Sequence, residues 1–261
     1  MKISEAKIRE SFRCGELLSE LPIYVKDVTD STMLDAKKQK DTHTRAVFIA
    51  DSQTKGRGRL GRTFISERAK GLYMTLTFTP EWELSDTVGV TAYTAVIVRR
   101  AIEELTGISP DIKWVNDIVK NGKKISGILT EGILSEDGAS LKRLLVGIGI
   151  NVHGCMLNEE IKDIATTLEA LGGSVSREAL AARIIELFYL ELHLLGTHGY
   201  ADEYRAHSSV IGKQVTVLTP IDSYPAFVEG ITDKCELSLT LEGGAKKILS
   251  TGEISVREFG K

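Results

Sequence analysis

The chain has 261 residues, 42% of them hydrophobic and 26% charged, and its formal net charge is −3. That length holds one large domain or a domain with a small appendage, and the composition is that of a globular protein. The slightly acidic balance argues against a dedicated nucleic-acid binder; no apolar run is long enough to span a bilayer, and residues 1–10 lack the apolar core of a signal peptide, so a soluble cytoplasmic protein is expected. Cys14, Cys155 and Cys235 are odd in number and far apart, which gives neither a metal-spaced pair nor a disulfide framework.

Residues Ile3 to Leu18 place Ile8, Phe12 and Leu17–Leu18 at helical spacing, which predicts one short helix. Ile23-Tyr24-Val25 reads as a β run after Pro22, and Asp30-Ser31 offers an N-cap for a helix through Lys38. Ala46 to Ala50 is a buried-strand candidate, and the Gly- and Arg-rich stretch Asp51 to Arg62 reads as a loop. Leu72 to Thr79 alternates apolar and polar residues, the pattern of a half-buried strand. Asp86 to Leu105 predicts a helix with Val88, Ala92, Ala95, Ile102 and Leu105 buried, stopped by Gly107. Ile112–Trp114, Lys124–Glu131 and Leu141–Val152 are further strands. Ser176 predicts the cap of a helix whose apolar stripe runs through Leu180, Ile184, Leu187, Phe188 and Leu195. Beyond Ser208 the texture changes to short β runs punctuated by Gly230, Gly243-Gly244 and Gly252, the signature of a small barrel. Two units follow: residues 1–208 and residues 209–261.

Two stretches carry candidate chemistry. In the first, Lys55, Arg57, Arg59 and Arg62 place four cations within eight residues, interleaved with Gly56, Gly58 and Gly61. Such a density repels itself, so an anion is expected to compensate it, and arginine forks suit carboxylates and phosphates. The pattern is neither a Walker A loop nor a dinucleotide-binding fingerprint. Spacing alone leaves open an anion site, a solvated turn and an Arg-Gly nucleic-acid contact. The second stretch, Lys113 to Glu131, reads as a β-hairpin turning at Asn121-Gly122, which sets Lys113 and Asn116 toward the same cleft as Lys123 or Lys124. An ordinary edge hairpin with solvated lysines has the same pattern. Ser31 and Thr32 have a plain reading as helix caps, and Trp114 as core.

Taken together, these segments resemble the biotin–protein ligases. Asp30-Ser31-Thr32, Gln53, the GRGRLGR run from Gly56 to Arg62, KWVNDI from Lys113 to Ile118, KKISGIL from Lys123 to Leu129, GIGINV from Gly147 to Val152 and GEISVR from Gly252 to Arg257 occur in that family's order. The resemblance implies an α+β fold: a mixed sheet with helices like that of class II aminoacyl-tRNA synthetases, plus a C-terminal SH3-like β-barrel. It implies that biotin and ATP react, with Mg²⁺, to biotinyl-5′-AMP, and that biotin then passes to a lysine of a biotin carboxyl carrier domain of a carboxylase. By the same resemblance, Ser31, Thr32, Met33, Gln53, Arg57, Gly58, Arg59 and Lys124 form the biotin site. Gly56, Arg59, Arg62, Lys113, Asn116, Asp117, Gly127, Asn151 and Arg257 form the ATP site, with Asp117 the candidate Mg²⁺ ligand. Lys124, Arg59 and Lys113 are the residues expected to act on the reacting charges.

The chain departs from the family pattern at three places: Met33 stands where Asn is frequent, Val115 replaces a common Pro and Phe64 a frequent Trp. About one helix precedes Ser31, which is too little for the N-terminal DNA-binding module of the family's repressor members, so no DNA partner is expected. A monomer or a homodimer is compatible with the family, and no membrane partner is expected. The rivals are a lipoate–protein ligase of the same fold and a non-catalytic binding protein.

Overall fold

The computed structural model describes residues 2–39, 44–80, 87–135, 141–154, 161–219, 222–250 and 252–256. A seven-stranded mixed sheet forms its larger part. Strand β1 (Ile23–Thr29) runs parallel to β2 (Arg45–Gln53). Antiparallel pairings then add β3 (Gly71–Phe78), β7 (Leu141–Asn151), β6 (Lys123–Leu134), β5 (Asp117–Lys120) and β4 (Asp111–Lys113), giving the order β1-β2-β3-β7-β6-β5-β4. Helices α3 (Thr87–Thr106) and α4 (Arg177–Leu190) pack against one face and build the main core with Val47, Ile49, Leu72, Leu76 and Phe78. The short α2 (Thr32–Lys38) covers the other face, where Met33, Ala36, Ala46, Phe48 and Leu145 form a second cluster.

This double cover explains one correction. All eight residues of β3 are buried, the polar Tyr73, Thr75 and Thr77 included, although the alternation predicts a half-buried strand. The polar face meets α2 and the candidate site instead of water.

A second correction concerns the N-terminus. The expected helix over Ile3–Leu18 is split into α1 (Glu5–Glu10) and a single 3₁₀ turn at Gly15–Leu18. The amides of Arg13 and Cys14 donate to the buried carboxylate of Glu186 at 2.5 and 2.6 Å, and this takes the backbone out of helical register. The third helix begins at Thr87, stops before Gly107 (φ 72°) and matches its expected span; Asp86 and the side chain of Val88 lie outside the described residues.

The expected hairpin is part of a three-stranded meander. Asn121 and Gly122 (φ 52° and 77°) make the tight turn between β5 and β6, as their sequence predicts. A second reversal at Trp114–Asn116 pairs Lys113 with Asp117.

Ser176 caps α4 through a hydrogen bond from the Ala179 amide to its Oγ at 3.0 Å. Leu195 falls beyond that helix, in α5 (Leu194–Thr197), and α6 (Ala201–Ala206) follows. Ser176→Ala is expected to cost about 1 kcal/mol, read as a lower urea midpoint with an unchanged slope.

From Gln214 the chain forms β8 (Gln214–Leu218), β9 (Ser223–Ile231), β10 (Leu237–Leu241), β11 (Lys246–Leu249) and β12 (Glu253–Val256). They pair antiparallel in the order β11-β10-β9-β8-β12, an open order among the described residues in which β11 and β12 are the edges. This unit meets the larger sheet at the Trp114 turn, where the indole N–H donates to the Cys235 carbonyl at 2.8 Å. Trp114 is therefore core, 3% exposed. Among the described residues no helix is long and apolar enough to cross a membrane.

Candidate active site

The site lies on the α2 face of the sheet and begins with a chain of polar groups. Thr75 Oγ1 donates to Thr32 Oγ1 at 2.8 Å, and the Thr32 hydroxyl and amide both donate to Gln53 Oε1 at 3.2 and 2.9 Å. Gln53 Nε2 donates to Ser66 Oγ at 2.9 Å, and Ser66 Oγ to the Phe64 carbonyl at 3.0 Å. The Thr32 and Ser66 hydroxyls each accept one bond and donate another, so the chain holds one polarity and fixes its members. Ser31 sits at the N-cap of α2 but makes no side-chain capping bond; its hydroxyl is buried and lines the cavity. Its sequence reading as a plain cap therefore gives way to a place in the site.

The cavity exists because three glycines share one floor. Gly127 on β6 stands opposite Gly149 on β7, with Gly147 two residues before it on the same strand face. A Cβ on Gly149 would lie 2.6 Å from the Phe64 ring, and one on Gly147 2.9 Å from Met33 Sδ. The narrow chamber above them has Ser31, Thr32 and Gln53 at its polar end and Met33, Phe64 and Leu129 among its apolar walls.

The Gly/Arg stretch folds back on itself as a small hairpin. Arg57 bridges to Thr63, and the Gly58 amide donates to the Arg62 carbonyl at 2.7 Å. Its tip holds Leu60 and Gly61 at φ 52° and 74°. Three of its cations are compensated by the chain's own acids: Lys55 by Asp30 at 3.0 Å, Arg57 by Glu131 at 3.2 Å and Arg62 by Glu253 at 2.7 Å. Hydrogen bonds from Thr54 and Lys55, with the charge of Lys55, hold the Asp30 carboxyl below its ordinary range. Arg59 differs, because its hydrogen bonds go to neutral oxygens, Asn116 Oδ1 at 3.0 Å and the Gly252 carbonyl at 2.9 Å.

A second, wider cavity of about 480 Å³ opens beside the first, lined by Arg62, Lys113, Asp117 and Asn151 among others. The two cavities share Gly58, Arg59, Phe64, Asn116 and Lys124. Lys124 Nζ pairs with Asp117 Oδ1 at 2.7 Å, and the Asn116 amide side chain donates to the Ile128 carbonyl at 3.0 Å. An apolar-walled chamber with a polar end thus meets a broad cleft of mixed charge at a lysine and an arginine.

Comparison with known proteins shows what this arrangement belongs to. Residues 23–151 match the model of the biotin/lipoate A/B protein ligase family, and residues 210–257 match the biotin protein ligase C-terminal domain. The bifunctional ligase/repressor BirA of Bacillus subtilis is 35% identical over 257 residues, 95% of this chain and 78% of that protein. The chain belongs to the biotin protein ligase family. A biotin–[acetyl-CoA-carboxylase] ligase of Paracoccus denitrificans is 26% identical over 87% of this chain and 97% of its own length. Among solved structures, the biotin protein ligase of Aquifex aeolicus in complex with biotin and ATP superposes with a TM-score of 0.78 at 30% identity, covering 90% of this chain and 98% of that one. The expectation of an ATP-dependent biotin protein ligase is met.

Within this ligase the residues expected from the sequence are sorted as follows. Ser31, Thr32, Met33, Gln53, Arg57, Gly58, Arg59 and Lys124 all line the narrow chamber. Arg59, Arg62, Lys113, Asn116, Asp117 and Asn151 line the wide cleft. Gly127 belongs to the chamber floor instead of the cleft. Gly56 lines neither cavity: a Cβ there would lie 2.2 Å from the Phe64 carbonyl, so its bare backbone lets the two arms of the loop close on each other. Arg257 lies outside the described residues. Ser66, Thr75 and Glu131 escape the sequence reading, as do the floor positions Gly147 and Gly149. The i, i+2 spacing in GIGINV is the signal that both glycines share a strand face.

Proposed function

We propose that the narrow chamber takes biotin, the wide cleft takes ATP, and the pair reacts where the two cavities join. The observation that carries this is the shared wall: Arg59, Asn116 and Lys124 border both spaces. A carboxylic acid anchored by its ring end at Ser31, Thr32 and Gln53 presents its carboxylate to these groups. The carboxylate oxygen attacks the α-phosphorus, and the bond to the bridging oxygen of the β-phosphate breaks, with pyrophosphate carrying away the electron pair. The acceptor amine then attacks the acyl carbon, AMP departs, and the amine loses a proton. Arg59, Lys113 and Lys124 are assigned to neutralise the two approaching anions and the charge that grows on the α-phosphate.

The polar end supports biotin over a dithiolane acid. Buried groups that hydrogen-bond a substrate reject an analogue that leaves them unpaired. The ureido ring offers both donors and acceptors; the dithiolane ring of lipoate offers neither. The acceptor we propose is a biotin carboxyl carrier domain of a carboxylase. For the architecture, the finer reading is a class II synthetase-like sheet over residues 1–208 and an SH3-like barrel over residues 209–261, supported by the change of texture at Ser208.

Mg²⁺ fits the cleft as a phosphate-bound ion. Among the described residues no three metal-binding side chains cluster, and Asp117 offers a partly exposed carboxylate there, the kind of site Mg²⁺ completes with phosphate oxygens. Asp117 would hold it, and its charge would ease the departure of pyrophosphate.

The test is biotin-dependent exchange of labelled pyrophosphate into ATP, with lipoate and octanoate as controls. Exchange with biotin alone is expected; exchange only with a control acid would overturn the assignment. Gly149→Ala checks the chamber separately. The new methyl displaces the Phe64 ring from the floor into the chamber, so KM for biotin is expected to rise by about ten- to a hundredfold in steady-state kinetics, with a smaller rise in KM for ATP because Phe64 borders both cavities.

A further inference from the structure

Glu131 is an acid that none of the motifs uses and that the assignments above leave out. It follows Gly127 and Leu129 at alternate positions on β6, so all three share one strand face, and the first two line the chamber. Its carboxylate meets two cations: Oε1 lies 3.2 Å from Arg57 Nη1, and Oε2 pairs with the ammonium of Lys37. Glu131 is 19% exposed, against 43% for Arg57 and 37% for Lys37. Lys37 stands in the last turn of α2, whose N-terminal end carries Ser31, Thr32 and Met33; Arg57 stands in the Gly/Arg loop and lines the chamber opposite. One carboxylate therefore ties together the two walls of the chamber.

Building on the function proposed above, we propose that Glu131 is a positioning residue for adenylate formation, holding Arg57 and the loop in place before an anion arrives. An unrestrained arginine must be ordered at the moment of binding, and that ordering weakens affinity. The Lys37–Glu131–Arg57 group keeps one net positive charge, so it orients Arg57 and still attracts a carboxylate or an adenylate phosphate. Adding no contact to substrate itself, Glu131 acts through Arg57.

Charge and positioning predict opposite results for Glu131→Gln. The substitution makes the site more positive, so attraction alone predicts tighter binding of an anionic substrate. Loss of positioning predicts weaker binding. The expected result in pyrophosphate exchange is a KM for biotin raised about tenfold, with kcat changed less than about threefold. Release of preformed biotinyl-adenylate, followed by gel filtration, should quicken by a similar factor. Glu131→Asp, which keeps the charge but shortens the reach to both cations, should shift both readouts the same way by less, and it serves if Glu131→Gln does not fold. An unchanged or lowered KM in either folded variant overturns the proposal. Failure of the underlying function looks different, because the wild-type chain would then show no biotin-dependent exchange.

Discussion

Lys124→Ala is expected to lower biotin-dependent pyrophosphate exchange by about a thousandfold, the scale of losing a main charge-stabilising group in a transition state. The position of Lys124 is set twice over. Its amide donates to the Ile164 carbonyl at 2.9 Å, and its carbonyl accepts from the Thr166 amide at 2.8 Å, so the backbone is clamped at the rim where the two cavities meet. Its ammonium is held by Asp117 at 2.7 Å and packs over Gly127, where a Cβ would come within 2.8 Å of Nζ. A carboxylate and a triphosphate repel each other, and a point charge at the junction neutralises both without imposing a fork geometry. Lys124→Arg keeps the charge but adds bulk over Gly127, so it should recover only part of the rate. The ion pair with Asp117 is partly exposed, so folding stability should change by less than about 1 kcal/mol. Exchange retained in a folded Lys124→Ala chain would remove the lysine from the chemistry.

The reading of the sequence succeeds where chemistry and periodicity are local. Spacing alone leaves the GRGRLGR and KWVNDI segments open, and it is their joint resemblance to one family that marks them as a candidate site. The turn at Asn121-Gly122 is legible by itself, since both residues tolerate positive φ. What stays hidden depends on contacts distant in sequence. Nothing near Arg13 shows that Glu186 will capture its amide, so the split of the first helix is invisible. Nothing near Thr75 shows that α2 will cover the polar side of β3. The loop's cations look like a demand for an external anion because their partners Asp30, Glu131 and Glu253 come from three other segments. The two-cavity arrangement is of the same kind: the motifs name its residues, while the glycine floor that makes room for a ligand emerges only from the register of β6 against β7.

Asp51→Asn is expected to destabilise the fold by about 3–5 kcal/mol, because it leaves one half of a buried ion pair without its partner. Asp51 ends the buried run of β2, two residues before Gln53, and its Oδ1 lies 2.7 Å from Arg177 Nη1 at the start of α4; the two side chains are 2% and 3% exposed. Arg68 reaches the other oxygen at 3.1 Å from the surface, and Arg177 also donates to the Gly71 carbonyl at 3.3 Å. The pair thus joins β2, β3 and α4 directly beneath the strand that delivers Gln53 to the chamber. Burial alone pushes the Asp51 carboxyl up, but hydrogen bonds and charge from Arg177, then Arg68, outweigh it and hold it below the ordinary carboxylate range. A carboxyl depressed in the folded state stabilises the fold above its unfolded value, about 3.9, and that stabilisation is lost as pH falls through the lower folded value. Urea midpoints of wild type and Asp51→Asn should therefore differ most near neutral pH and converge in acid, the wild-type curve falling the more steeply. Parallel curves would mean that the charge of Asp51 contributes nothing. A double change to Asp51→Leu with Arg177→Met should cost less than Asp51→Asn alone, since the burden is the orphaned guanidinium and not the absence of the pair.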